Sequence, residues 1–111
     1  YGEQKRDFIY VKDIVEANII AAGLRGKVGG ISNLKSDFAA INIGTGTAET
    51  FNRIIEILNN SLGTKFTPEY FDNPYSFFQN HTQADTTLAK KILGFNARYN
   101  IEDGIKDYLN N

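Results

Sequence analysis

The 111-residue sequence contains no cysteine and a single histidine, His81. Disulfide bonds, thiolate metal sites and metal sites built from several histidines are therefore excluded within it. The formal net charge is −1, so no excess of positive charge attracts nucleic acid or an anionic membrane. No apolar run approaches the roughly 20 residues of a spanning helix. We expect neither nucleic acid nor a membrane as partner, and a cytoplasmic location is the default.

What the sequence does contain is enough apolar material for one small domain. Hydrophobic residues make up 41 % of the chain and aromatic residues 13 %, which is incompatible with disorder by composition. The length allows one domain rather than two. The chain starts at Tyr1 rather than at a methionine, and its first predicted strand follows almost at once. We therefore expect a fragment of a longer protein.

The first half of the chain predicts alternating strands and helices. A strand buried on both faces is predicted over 7–11, because Phe8–Val11 form an unbroken apolar run. A helix is predicted over about 13–24, with Asp13 and Glu16 at the spacing of a capping box and apolar residues nearly all round, so that it should be sandwiched. Residues 25–37 predict a loop, and 38–43 a second buried strand that ends in the turn "GTGT".

The second half predicts more helix than strand. A helix over about 50–62 ends at Gly63, with Asn52 and Asn59 on its outward side. Residues 66–70 predict an edge strand, because Pro68 cannot donate to a ladder. Asp85 caps a short helix over about 86–93 that ends at Gly94, and Asn100 starts the last helix. The inward residues are predicted to be Phe51, Ile54, Ile55, Leu58 and Leu62 in the first of these helices, and Ile101, Ile105, Tyr108 and Leu109 in the last.

This order of elements predicts the fold class. Strands that read as continuous apolar runs and alternate with helices are typical of α/β folds with parallel pairing. The fold class is therefore α/β, with βα units, parallel strands and C-terminal helices in one unit over 1–111.

An arginine stands directly before the first predicted strand. Arg6 presents a planar fork of donors, which suits a phosphate or diphosphate that accepts two bonds at once. The alternative is a surface arginine paired with Asp7 or another neighbour, since most arginines are exposed. The local sequence leaves both interpretations open.

Three further features are candidates for a site. The run "NIGTGT" at 42–47 is glycine-rich but matches neither the phosphate-loop nor the dinucleotide pattern, which favours a plain tight turn. The loop 71–83 carries four aromatic residues, which either cover a stacked base or sugar or fill the core. His81 belongs to no recognisable catalytic motif, which favours a structural hydrogen bond.

Several of these motifs together resemble a known family. The segments "KRDFIYVKDIVEAN", "INIGTG" and "LGFNARYNIEDGIKDYL" are similar to the C-terminal third of extended short-chain dehydrogenase/reductase enzymes that act on nucleotide sugars. Within that family, "NPYSFFQNHTQADTT" resembles the members that epimerise ADP-glycero-manno-heptose, the heptose source of the lipopolysaccharide core. The resemblance covers nearly the whole chain.

The resemblance implies roles for five residues. Arg6 matches the arginine that grips the substrate diphosphate, and Tyr1 and Gly2 fall near a short substrate-contacting stretch. Phe78 stands where the family usually has a substrate-contacting tyrosine. Because Phe78 lacks a hydroxyl, Tyr75 could supply one instead. No catalytic residue, cofactor-binding residue or metal ligand is implied within the chain.

The resemblance also implies partners. The parent enzyme would use NADP, held by a cofactor-binding domain outside this sequence that also carries the catalytic Tyr–Lys couple. This chain would bind part of an ADP-heptose-type nucleotide sugar and be inactive alone. Two other hypotheses stay open: a stand-alone module that binds a nucleotide or sugar phosphate, and a structural fragment that associates into a homo-oligomer.

Overall fold

The computed structural model describes residues 1–24 and 39–110. Within these ranges lie two short strands, β1 (Lys5–Arg6) and β2 (Glu49–Thr50), and three α-helices, α1 (Val11–Ala21), α2 (Phe51–Leu62) and α3 (Ile101–Leu109). A π-helical turn, Ala89–Leu93, precedes α3. The combination of a short sheet with helices confirms the predicted α/β class. The loop predicted at 25–37 lies outside the described residues.

The strands lie elsewhere than predicted. Residues 7–10 are not part of a ladder; the first strand is β1, and it pairs antiparallel with β2, with Arg6 opposite Glu49. A parallel bridge does join Lys5 to His81. Among the described residues, the predicted parallel pairing is therefore wrong for β1 and β2, and the Lys5–His81 bridge does not join the two segments predicted as buried strands. Apolar runs indicate burial, but they do not say which backbone lies alongside.

The second predicted strand also contains apolar residues that pack against the core without belonging to a ladder. Among residues 38–43, Phe38 lies outside the described residues, and 39–43 form no ladder. Ile41 and Ile43 nevertheless pack against the core cluster of Ala17, Ile20, Ala89, Leu93 and Phe95. Their apolar character therefore reflects packing, while the predicted strand is wrong. Likewise, residues 66–70 contain no strand.

Helix α1 begins two residues earlier than predicted, and Asp13 is not its cap. Tyr10 holds the N-cap position and makes no side-chain capping bond. Asp13 is 2 % exposed, and its carboxylate accepts the backbone N–H groups of Arg98 and Tyr99, both at 3.0 Å. A carboxylate at a capping position can bind distant backbone donors instead, and here it joins α1 to the segment that leads into α3.

Only one face of α1 is covered by the described residues. Ala17 and Ile20 are buried, whereas Val11 and Val15 are 60 % and 51 % exposed. The prediction that this helix is sandwiched is therefore wrong for the part of the chain that is described, where its buried face packs against the π-helical turn and Phe95.

Helix α2 follows its prediction at both ends. The Thr50 hydroxyl accepts the backbone N–H of Arg53 at 3.0 Å, and Gly63 ends the helix in the left-handed conformation. The buried residue of this helix is Ile57 at 3 % exposure, while the predicted inward residue Leu62 is 57 % exposed. The side chain of Asn59, predicted to face solvent, instead binds the backbone of Phe66 at 2.9 and 3.1 Å.

The C-terminal elements follow their predicted caps in part. Asp85 accepts the backbone N–H of Thr87 at 3.0 Å, but the N-cap of the π-helical turn is Leu88, which makes no side-chain capping bond, so the prediction that Asp85 caps this element is wrong. Gly94 ends the turn as predicted. Asn100 caps α3 by accepting the N–H of Asp103 at 2.8 Å. Tyr108, predicted to point inward, is 69 % exposed. In residues 1–24 and 39–110, no helix combines the length and apolar character needed to cross a membrane.

Candidate functional site

A cleft with a volume of about 830 Å³ lies between three parts of the chain. The lining residues come from the segment 1–6, from the start of α2 and from the segment 68–78. The volume falls within the range of small-molecule sites, roughly 300–1,000 Å³. Four of the five site residues predicted from the resemblance line this cleft: Tyr1, Gly2, Arg6 and Phe78.

Arg6 reaches the cleft from the end of β1. One terminal nitrogen, Nη1, donates to the carbonyl of Lys5 at 2.8 Å, and Cζ lies 5.9 Å from the centre of the Phe51 ring. No carboxylate of the described residues forms an ion pair with it. The pairing with Asp7 is therefore wrong, and the neighbour that Arg6 bonds is Lys5, through its backbone carbonyl. A guanidinium carries several N–H donors, so this bond leaves others unused.

The carboxylate of Asp7 accepts hydrogen bonds from the glycine-rich turn. Its carboxylate accepts the N–H and the hydroxyl of Thr45 at 2.9 and 2.5 Å, and the N–H groups of Gly46 and Ala84 at 2.9 and 3.2 Å. Desolvation alone would raise the pKa of Asp7, but these hydrogen bonds outweigh it and hold that pKa below its usual value. Asp7 is thus an ionised clamp on the turn and not a partner of Arg6.

This contact decides how "NIGTGT" should be interpreted. The backbone donors that a phosphate would need are bound to the Asp7 carboxylate, so the turn is not a phosphate loop. Gly46 has a φ of +80°, and a Cβ at Gly44 would lie 2.5 Å from that of Ala84. The prediction of a tight turn whose glycines serve positive φ and close approach is confirmed.

Tyr1 and Gly2 lie at the end of the cleft. The Tyr1 hydroxyl donates to Asp72, and this hydrogen bond raises the pKa of Tyr1. The Tyr1 ring packs edge-on against Tyr70, with 5.8 Å between centroids. Gly2 has a φ of +85°, which disfavours other residues. These contacts tie the start of the chain to the segment 68–78.

The aromatic loop divides into two parts. Phe71 and Phe78 line the cleft. Tyr75 does not line it, and its ring packs against that of Phe77 with 5.7 Å between the ring centroids. The structure thus does not bring the Tyr75 hydroxyl to the cleft. Phe71 and Phe77 are 79 % and 82 % exposed, so the alternative that these rings fill the core is wrong.

Several cleft residues were missed by sequence reasoning. Phe51 and Ile55 were predicted to lie on the inward face of α2. Glu69, Tyr70 and Asp72 lie just before or at the start of the predicted aromatic loop, 71–83. The available signal was the aromatic density, which starts at Phe66 rather than at Phe71. Tyr70 supplies the hydroxyl on this side of the cleft, and it donates to Asn52 at 2.6 Å.

The histidine and the residues after it have structural contacts. The backbone of Lys5 bonds on both sides of His81, to Asn80 at 2.7 Å and to Thr82 at 3.0 Å. Nε2 of His81 lies 3.2 Å from Oε1 of Gln83, and Nε2 of Gln83 donates to the carbonyl of Gly46 at 2.6 Å. The segment "HTQAD" therefore holds β1 against the glycine turn.

Two tyrosine–lysine pairs could be mistaken for a catalytic couple. Tyr1 and Lys5 have the four-residue spacing of a Tyr-x-x-x-Lys pair, which was overlooked in the sequence, but Lys5 lies in β1 and no helix aligns the two groups. Tyr10 and Lys12 both contact Asp107, each at 2.6 Å. The hydrogen bond to Asp107 raises the pKa of Tyr10, the opposite of what proton abstraction by a tyrosinate requires.

The chain was compared with known proteins, and no family model matches it. A curated relative, the UDP-glucuronate 4-epimerase of Thermodesulfobacterium geofontis, is 34 % identical over 110 residues, which is 98 % of this chain and 30 % of that protein. The crystal structure of the Helicobacter pylori ADP-L-glycero-D-manno-heptose-6-epimerase superimposes with a TM-score of 0.77 at 37 % identity, over 98 % of this chain and 30 % of that one. This chain is related to the nucleotide-sugar epimerases.

A further solved structure agrees with this relationship. MoeE5 in complex with UDP-glucuronic acid and NAD has a TM-score of 0.74 at 28 % identity, over 95 % of this chain and 32 % of that one. The resemblance to extended short-chain dehydrogenase/reductase epimerases is therefore confirmed. The chain spans about a third of the length of these relatives, which include both UDP-sugar and ADP-heptose epimerases.

Proposed function

We propose that this chain is the substrate-binding part of a nucleotide-sugar epimerase and that its cleft holds the diphosphate and nucleoside of the substrate. The observation that carries the proposal is Arg6, whose guanidinium reaches an aromatic-lined cleft without a carboxylate partner among the described residues. A guanidinium fork binds phosphate oxygens in pairs, and aromatic walls suit a base or a sugar face. Phe51, Phe71 and Phe78 provide those walls.

The finer proposal concerns the substrate. We propose an ADP-heptose-type nucleotide sugar, as used for the lipopolysaccharide core, because the segment Thr82–Asp85 resembles that branch and an ADP-heptose epimerase is among the related structures. In the complete enzyme, one carbinol centre of the heptose would be inverted by oxidation, presentation of the other carbonyl face, and reduction. In this chain, Arg6 would hold the diphosphate while Phe78 packs against the substrate.

A nicotinamide cofactor, NADP in our proposal, would supply the hydride acceptor and donor in such an enzyme. The described residues do not fit a nicotinamide cofactor, because the backbone N–H groups of Thr45 and Gly46 in the glycine-rich turn bind the Asp7 carboxylate. The sequence also has no dinucleotide fingerprint. A cofactor-binding domain outside this sequence would have to hold it. We therefore assign no hydride step to this chain and expect it to be inactive alone.

Calorimetric titration of this chain with ADP and with an ADP-sugar tests the proposal. We expect millimolar or tighter binding that falls at least tenfold in Arg6→Ala, a loss of about 1.4 kcal/mol or more. Arg6→Lys should recover only part of it, because an ammonium keeps the charge but loses the fork. Arg53→Ala is the matched control: it removes the same charge outside the cleft, where Arg53 contacts Glu56 and Glu102 at 3.1 and 3.6 Å.

Two outcomes would overturn the proposal. If the folded chain binds neither ligand, the cleft is not a preformed half-site. If Arg6→Ala and Arg53→Ala weaken binding equally, the effect is one of net charge and Arg6 is not the diphosphate ligand.

The alternative of a stand-alone nucleotide-binding module draws on the same cleft. Micromolar affinity for ADP without any gain from the attached sugar would favour that alternative. Tighter binding of the ADP-sugar than of ADP would favour the epimerase.

A further inference from the structure

Asn52, in the first turn of α2, contacts both sides of the cleft. Its side-chain Nδ2 donates to the carbonyl of Tyr1 at 3.2 Å and to the Glu3 carboxylate at 2.5 Å. Its Oδ1 accepts the hydroxyl of Tyr70 at 2.6 Å. Its backbone N–H donates to the carbonyl of Gly2 at 2.9 Å. The side-chain amide of Asn52 therefore joins the segment 1–6, which carries Arg6, to the segment 68–78, which carries Tyr70.

The absence of a side chain at Gly2 makes this contact possible. A Cβ at Gly2 would lie 2.0 Å from Oδ1 of Asn52 and 2.6 Å from its Cγ. The Asn52 amide thus occupies the space that a side chain at position 2 would take. Gly2, which the resemblance predicts as a substrate-contacting residue, leaves the space that this amide occupies.

We propose that Asn52 is a positioning residue that sets the separation of the cleft walls and so places Arg6 for the ligand phosphate. The ligand part of this inference rests on the proposed function. Asn52 acts through Arg6, Tyr1 and Tyr70 and needs no contact with the ligand. Its effect on affinity follows because a shift of about 1 Å in a binding group is enough to weaken a bidentate contact.

Asn52→Asp removes the hydrogen bonds donated by the Asn52 amide without changing the size of the side chain. In Asn52→Asp the shape is kept and Tyr70 can still donate, but both donations by Nδ2 are lost and a carboxylate faces Glu3. Adding Glu3→Gln reverses the polarity of that contact, since the new amide at position 3 can donate to the new carboxylate at position 52. Asn60→Asp is the matched control, because Asn60 is exposed on the same helix and does not line the cleft.

The test measures ADP affinity by calorimetry in the full chain, with thermal unfolding in parallel. We expect Asn52→Asp to weaken ADP binding about fivefold to tenfold, the factor that one or two lost hydrogen bonds represent. Asn60→Asp should leave it unchanged. The Asn52→Asp, Glu3→Gln double variant should return to within about twofold of the wild type, a recovery that general destabilisation would not produce. Full affinity in Asn52→Asp, or no recovery in the double variant, overturns the proposal.

A second readout is independent of any ligand. Amide hydrogen exchange of Asn52 and Phe51, which donate to Gly2 and Gln4, should accelerate in Asn52→Asp and in Gly2→Ala and slow again in the double variant with Glu3→Gln. If the wild type does not bind ADP, the proposed function fails, while this exchange pattern still decides the positioning role. Unchanged exchange in Asn52→Asp overturns it.

Discussion

Replacing Asp7 by asparagine should destabilise the fold, because the asparagine side chain cannot accept all the hydrogen bonds that the carboxylate accepts. The carboxylate accepts four hydrogen bonds, two from Thr45 and one each from Gly46 and Ala84. An asparagine side chain has one oxygen, so one pair of donors would face an NH₂ group. Each donor left unsatisfied costs about 1–3 kcal/mol, and partial exposure favours the lower half of that range. We therefore expect a loss of about 2–3 kcal/mol in the free energy of unfolding.

The assay is urea unfolding followed by circular dichroism, with thermal unfolding alongside. A loss of this size corresponds to a fall of about 10 °C in Tm for a chain of this length. Asp85→Asn is the matched control, since Asp85 is exposed and accepts the N–H of Thr87 at 3.0 Å, a bond that asparagine can also make. We expect it to cost less than about 0.5 kcal/mol.

The pH dependence gives a second check on the same residue. The pKa of Asp7 is lower in the fold than its reference value of 3.8. The stability that the ionised carboxylate contributes is therefore complete above that value and is lost as the pH falls through the folded pKa. The difference between wild type and Asp7→Asn should persist at neutral pH and shrink below about pH 4. Equal costs for Asp7→Asn and Asp85→Asn, or a difference that does not change at low pH, would refute the clamp.

Three further tests by substitution follow from the structure. Gly44→Ala should lower the free energy of unfolding by about 2 kcal/mol or more in urea, because its Cβ would overlap Ala84. Gly63→Ala is the control: its Cβ meets open space, and the positive φ alone should lower the free energy of unfolding by about 1 kcal/mol. Equal losses in the two variants would contradict the packing. Asp13→Ala should cost about 2–4 kcal/mol by the same measurement, because it removes the acceptor of the part-buried backbone N–H groups of Arg98 and Tyr99, and a loss under about 1 kcal/mol would show that those groups find water. Glu69→Gln should raise ADP affinity about twofold at low salt and less at high salt, by removing a negative charge from the cleft; an unchanged affinity would place the phosphates elsewhere.

Features set by local chemistry were predictable from the sequence. Gly63 and Gly94 end their helices, and Asn100 caps α3, because a left-handed residue or a short side-chain acceptor acts within one turn. Strand positions were not predictable, because the partner of β1 is decided by distant residues such as Glu49 and His81.

Polar side chains with distant partners were misjudged for the same reason. Asp13 has the spacing of a capping residue yet binds the backbone before α3. Asn52 was placed on the solvent side of α2 by periodicity, whereas it joins the cleft walls. Helical periodicity indicates which residues share a face, but it does not indicate which irregular segments will fold over that face.

For the site, the resemblance contributed more than composition or periodicity. Tyr1, Gly2, Arg6 and Phe78 were predicted by motif matching, and the structure gathers them around one cleft. Tyr75 was chosen by sequence proximity to Phe78 and lies outside it. A loop without periodicity gives no direction for its side chains, so proximity in sequence was a weak guide there.

The comparison of ADP with adenosine, in the wild type and in Arg6→Ala, tests the central claim most directly. If Arg6 is the diphosphate ligand, ADP should bind the wild-type chain about tenfold or more tightly than adenosine, and the two affinities should converge in Arg6→Ala. If the preference for ADP survives the substitution unchanged, the phosphates lie away from Arg6 and the account of the cleft is wrong.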